Sequence, residues 1–158
     1  EWITKRRFTN VLVEIANEFP HGGFDHDLIQ TDKGMASLIQ LAKKTNPDLL
    51  VSASGLGNGK LPLHVIEASD YVLIHFNGTP VADIPTRIND LKKYDKPIVC
   101  NEDDKVGEEA CAALLASVEN NCSYGYMNKM VNQYKPFLFN GYEDDAEFYN
   151  CLRTVLDQ

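Results

Sequence analysis

No apolar run in this chain of 158 residues approaches the roughly 20 that a membrane-spanning helix needs. Positive charge is also short: 15 Lys and Arg stand against 23 Asp and Glu, giving a net charge of -8 and a pI near 4.9. Nucleic acid and anionic membrane surfaces both ask for a basic footprint, so neither is an expected partner. A neutral small molecule or sugar is what elimination leaves. The four cysteines, Cys100, Cys111, Cys122 and Cys151, contain no C-x-x-C pair, which argues against a zinc ribbon or a thioredoxin-like motif. Cys100 in an apolar strand and Cys111 on an apolar helix face read as buried free thiols, and the compartment stays open. The opening Glu1-Trp2-Ile3-Thr4-Lys5-Arg6-Arg7 is neither a signal nor a transit peptide. With no Met and a helical pattern already under way, it leads us to expect a piece cut from something longer. Low-complexity segments, linkers and convincing internal repeats are missing too.

What is present is a core: 44% of the residues are hydrophobic, enough for one domain of ordinary size. Apolar β-rich runs over 11–16, 49–54, 71–76 and 96–102 alternate with helical patterns over 32–44, 62–68, 84–93 and 108–119. A short fifth strand over 123–127 and a closing helix over 148–156 follow, after an acidic helix start at 142–147. Strict alternation of this kind signals parallel βαβ units in one α/β region spanning 1–158.

Two of these strands end alike. Val13-Glu14-Ile15-Ala16-Asn17-Glu18 and Lys96-Pro97-Ile98-Val99-Cys100-Asn101-Glu102 each run from apolar residues to a carboxylate at the strand's C-terminal end, the rim where α/β proteins place their chemistry. Retaining glycoside hydrolysis needs one protonated carboxyl and one ionised carboxylate about 5–5.5 Å apart. Glu18 and Glu102 meet that need only if the sheet curls, with Asn17 beside Glu18 to bond a sugar hydroxyl. The competing reading is a pair of unrelated carboxylates that cap helices or sit in water.

These runs resemble the fourth-strand Asn-Glu and seventh-strand Glu of the clan A glycoside hydrolases, in particular the cellulase-like family 5 enzymes. His75-Phe76-Asn77 falls where that family's sixth strand carries His-x-Tyr. The resemblance implies the second half of a TIM (β/α)8 barrel, strands four to eight with their helices, the first strands being absent from the chain. It implies Glu18 as acid/base, Glu102 as nucleophile, Asn17 as a substrate-hydroxyl ligand and His75 as a site residue. Asn77 replaces the expected Tyr, and Ser123-Tyr124-Gly125-Tyr126 replaces the family's eighth-strand Trp, so sugar stacking would fall to Tyr124 or Tyr126. The implied partners are an oligosaccharide or glycoside, together with the missing barrel half or another copy of the chain, since a bare half-barrel exposes two sheet edges. No cofactor or metal is implied, and a secreted or periplasmic location follows from the resemblance only.

Other motifs carry less. His21, Asp25, His26 and Asp27 could ligate a metal, but their spacing on a Gly- and Pro-containing loop fits a solvated, substrate-contacting segment better. Gly55-x-Gly57-x-Gly59 after a strand invites a phosphate cradle; without an acidic residue ending the next strand it reads as a mobile rim loop. Two alternatives stay open: a catalytically inactive carbohydrate-binding or structural barrel, and a complete doubly wound α/β domain binding a nucleotide-like ligand at the 55–59 loop.

Overall fold

A computed structural model describes residues 2–157. Glu1 of the expected first helix, and both ends of the 1–158 region, lie outside the described residues. The N-terminal turn is helical as expected, α1 at Trp2–Arg6, and the first strand, β1, is only Leu12–Glu14. Within the long polar loop that follows, α2 forms over Asp27–Gln30 because the His26 ring accepts the Leu28 N–H and caps it. Thr31 then caps α3, Asp32–Thr45, by accepting the Gly34 N–H at 3.2 Å, and Met35 and Ile39 supply its buried stripe.

The remaining elements keep the strand–helix rhythm: β2 Leu50–Ser52, α4 Leu63–Ala68, β3 Val72–His75, α5 Ile84–Lys92, β4 Ile98–Glu102, α6 Gly107–Val118, β5 Cys122–Ser123 and α7 Ala146–Leu156. Pro85 suits the first turn of α5, where its missing N–H costs nothing. The fold is α/β, with short parallel strands in two small sheets, β1-β2 and β3-β4-β5. A parallel bridge between Ser54 and Leu73 links them, and one between Asp103 and Tyr126 prolongs the β4–β5 pairing past the short fifth strand. Strand order follows chain order with no reversal. A doubly wound sheet binds its ligand where strand order reverses, so that alternative does not fit.

Alternation along the strands sorts the side chains onto two faces. Val51, Ala53, Val72, Ile74, Phe76, Ile98 and Cys100 join Met35, Ile39, Val65, Ile66, Ile84 and Ile88 in one apolar cluster under the helices. Glu14, Ser52, Ser54, Leu73, His75 and Asn101 alternate with these and face the other way. That second face is concave. In a flat sheet β1 and β4 would stand about 14 Å apart, three strand spacings, yet the Asn101 amide donates to Glu14 Oε2 at 3.2 Å. Side chains bridge that interval only if the array curls toward them.

A second cluster seats α7 on α6: Phe148 is buried with Ala110 and Leu114 and stacks on Tyr126 at 3.9 Å. A Cys111–Cys151 disulfide joins the two helices, which corrects the expectation of a free thiol at Cys111. Cys100 and Cys122 are the free, buried pair, and burial pushes both thiols up to about 12. Asp145 fastens the same junction, accepting from Phe148 N–H at 3.0 Å, Gly107 N–H at 2.8 Å and the Tyr126 hydroxyl at 2.7 Å. Burial alone would raise this carboxyl; the bonds from Gly107, Tyr126 and Phe148 outweigh it and hold it below the usual range. Its stabilising contribution is therefore complete above the ordinary Asp value near 3.9 and is lost as pH falls through the lower folded value. Asp145→Asn is expected to cost about 1 kcal/mol at neutral pH, because the amide keeps only one accepting oxygen for the three donors, and to flatten the acid limb of stability, as urea unfolding between about pH 2 and 7 would register. An unchanged acid limb would show that Asp145 is not the group responsible.

Candidate active site

The Asn-Glu run of β1 does not end as a plain strand. Ile15 and Ser54 continue the pairing with Ser52 and Ala16, and the chain then turns sharply at Glu18, whose φ is 46°. A left-handed backbone costs a non-glycine residue roughly 1 kcal/mol and persists only where its surroundings hold it. Here the Glu18 N–H donates to the Ser54 hydroxyl at 2.8 Å, the Phe19 N–H donates to the Ser54 carbonyl at 3.1 Å, and the Phe19 ring is fully buried. The turn aims the Glu18 side chain over the end of the sheet.

Glu102 reaches the same place by a different device. Ile98, Cys100 and Glu102 share one parity, and the first two point under the helices, so a regular strand would bury Glu102 among apolar residues. Instead the register shifts between Ile74 and His75: Ile74 pairs with Cys100, His75 with Glu102, and Asn101 is left as an extra residue. A bulge of this kind re-aims the side chain beyond it. Gly125 presses on it from the segment just after β5, where an added Cβ would lie 2.3 Å from the Asn101 carbonyl carbon.

Glu18, His75 and Glu102 thereby converge, with one oxygen or nitrogen from each within 4.8 Å of the others. His75 Nδ1 is 3.3 Å from Glu18 Oε1 and 3.8 Å from Glu102 Oε1, and the ring is fully buried. Its Nε2 has no hydrogen-bond partner among the described residues, and Nδ1 is the ring nitrogen turned toward the carboxylates. The Asn77 amide donates to Glu102 Oε1 at 2.7 Å, fixing that carboxylate. Glu18 and Glu102 keep 25% and 18% of their side-chain surface, so both remain open to solvent. Two carboxylates and an imidazole could also hold a divalent cation, and among the described residues this is the cluster with that capacity.

Other expected site residues lie elsewhere. Asn17 is exposed next to Glu18, with no hydrogen bond to the cluster. Tyr124 is not a rim platform: its hydroxyl donates to the buried Asp103 at 3.1 Å and its ring leans on Phe148. Burial, with Asp103 beside it, pushes that hydroxyl well above the ordinary tyrosine range. The Tyr126 face lies on Phe148 and its hydroxyl on Asp145, so neither tyrosine is brought to the pair. His21 and His26 are exposed and accept from backbone N–H groups two residues on, which leaves no convergent metal set on that loop. The 55–59 glycines are packed rather than mobile: Gly55 and Gly59 are buried, the Gly59 N–H donates to the His75 carbonyl, and the Gly57 carbonyl accepts from Gly78. A phosphate would find the Gly59 N–H already engaged.

Behind the site a network absent from the sequence reading locks the two strand ends. Lys105 Nζ donates to Asp103 Oδ1 and to the Phe76 carbonyl, each at 2.9 Å, tying the residue after Glu102 to the one between His75 and Asn77. Burial pushes the Asp103 carboxyl up against the opposing pull of Lys105 and Tyr124. Leu56, Asn58 and Lys60 help line a cavity of about 330 Å3 along the loops after β1 and β2, which also includes Pro20. A 290 Å3 cavity by α1 sits at the opposite strand ends and holds none of the cluster. Comparison with protein-family models, curated proteins and solved structures finds no match for the chain.

Proposed function

We propose that the chain is the second half of a (β/α)8 barrel of the clan A glycoside hydrolase type, whose site cleaves β-linked glycosides with retention. The observation that carries this is the Glu18–Glu102 pair, whose oxygens approach within 4.8 Å at the C-terminal ends of β1 and β4. An approach of that order is compatible with the roughly 5–5.5 Å between the carboxyl groups of retaining enzymes. Sequential strand order and a curled concave face support the barrel reading.

In this mechanism Glu102, oriented by Asn77, attacks the anomeric carbon while Glu18 protonates the departing glycosidic oxygen. Glu18 then takes a proton from the water that releases the glycosyl group from Glu102. His75, between the two, holds them apart and in register. Asn17 is positioned in sequence to meet a sugar hydroxyl, and the reaction needs no cofactor. The Cys111–Cys151 disulfide supports an oxidising compartment, in keeping with a secreted or periplasmic protein. The remaining strands of the barrel would come from the missing half or from another copy of the chain.

The test is proton NMR of a panel of aryl β-glycosides, with and without EDTA. The expected first product is the β-anomer, formed at the same rate with chelator present; an α-anomer, or loss of turnover in EDTA, would overturn the reading. A second reading, a catalytically inactive barrel of carbohydrate-binding or structural type, is favoured by the engagement of Tyr124 and Tyr126 with Phe148, which leaves the glutamate pair without a sugar-stacking platform. Calorimetric binding of oligosaccharides without any product would select it.

A further inference from the structure

Glu14 is a third carboxylate on the concave face, and the proposed reaction has no use for it. Its surroundings are unusual because each oxygen serves a different strand end. Oε1 accepts from the Ser54 hydroxyl, and Oε2 accepts from the Asn101 amide at 3.2 Å. Ser54 is fully buried, and its hydroxyl is also the acceptor for the Glu18 N–H. Asn101 is the extra residue that turns Glu102 toward His75. One side chain thus reaches the left-handed turn that aims Glu18 and the bulge that aims Glu102.

We propose that Glu14 is a positioning residue, a brace that sets the spacing between the two glutamates through Ser54 and Asn101. The polarity of the chain is fixed. A hydroxyl has one proton, so Ser54 can give it to Glu14 while its lone pair takes the Glu18 N–H. Remove the Glu14 acceptor and the Ser54 hydroxyl is free to rotate, which releases the Glu18 turn. Asn101 loses its anchor in the same step, so both carboxylates drift together. Misplacement on the scale of 1 Å is enough to cost about 100-fold in rate. A charge acting directly on the reacting atoms would behave differently, because an uncharged acceptor could not replace it.

The brace rests on the glycosidase reading for its effect on turnover, but not for its effect on structure. The variants are Glu14→Ala and Glu14→Gln in the intact protein, with Ser54→Ala as a smaller cut at the same link should Glu14→Ala fail to fold. Hydrogen exchange at the Glu18 amide is read without substrate. Its protection is expected to drop by about tenfold or more in Glu14→Ala and Ser54→Ala, while the Val72 amide, which donates to the Pro97 carbonyl across the β3–β4 pair, keeps its own. In turnover, kcat is expected to fall about 10- to 100-fold with KM within about threefold. Glu14→Gln, which keeps an acceptor for Ser54, restores most of both. Unchanged Glu18 protection overturns the brace, as does a Gln variant as impaired as Ala. A protein that loses Glu18 protection as expected but never cleaves a glycoside would retain the brace and refute the proposed reaction.

Discussion

Glu102→Gln is expected to lower hydrolysis of an aryl β-glycoside by about 10⁴-fold or more, because removing a nucleophile abolishes the covalent route and leaves only residual binding catalysis. The Asn77 amide that now donates to Glu102 Oε1 would still have an acceptor, so the fold should be undisturbed and the loss should appear in kcat. Glu18→Gln separates the roles. An acid is worth roughly 10²–10⁴-fold when the leaving oxygen must be protonated and little when it departs readily as an anion. Glu18→Gln should therefore spare formation of the intermediate from a dinitrophenyl glycoside while crippling cleavage of an alkyl glycoside. Equal losses on both substrates would remove Glu18 from the acid role. A Glu102→Gln protein with more than about a tenth of native activity would end the assignment of the pair.

Removing the α6–α7 cross-link has the other large effect. The Cys111–Cys151 bond spans 40 residues of chain, and loop-closure entropy for a ring of that size stabilises the fold by about 4 kcal/mol. The double replacement Cys111→Ser with Cys151→Ser should shift the urea midpoint accordingly, and dithiothreitol on the native protein should reproduce the shift. Cys100 and Cys122 are poor substitutes, since burial keeps both thiols protonated at neutral pH. No shift on reduction would mean that α7 is held by Phe148 and the Asp145 cap alone.

The alternation of strand and helix was legible because the apolar runs are β-branched and short while the helices carry a clear 3.6-residue stripe. Glu18 and Glu102 were legible for the same reason: each ends an apolar run. How Glu102 reaches the site was not. By parity it follows Ile98 and Cys100 toward the helices, and the bulge at Asn101 that corrects this depends on pairing with His75 and on the close approach of Gly125, neither visible in the β4 residues themselves. The surroundings of the tyrosines were not legible, because Tyr124 and Tyr126 both have hydroxyl partners from distant segments, Asp103 and Asp145, and rest on Phe148. The disulfide was not legible in the sequence, since Cys111 and Cys151 share no spacing motif, and only the packing of α7 on α6 brings them together. The 55–59 glycines suggested mobility; they are there because Gly55 would drive a Cβ to 2.4 Å from the Lys60 carbonyl oxygen.

The central claim, that Glu18 and Glu102 act as one retaining pair, is tested most directly by trapping. A panel of 2-deoxy-2-fluoro glycosides with good leaving groups should form a slowly hydrolysed ester, and mass spectrometry of the digested protein should find the added glycosyl mass on the peptide that contains Glu102. Label on Glu102, with faster trapping than release, is the predicted result. Turnover of the parent glycoside with the label on another carboxylate, or with none on Glu102 across the panel, would contradict it.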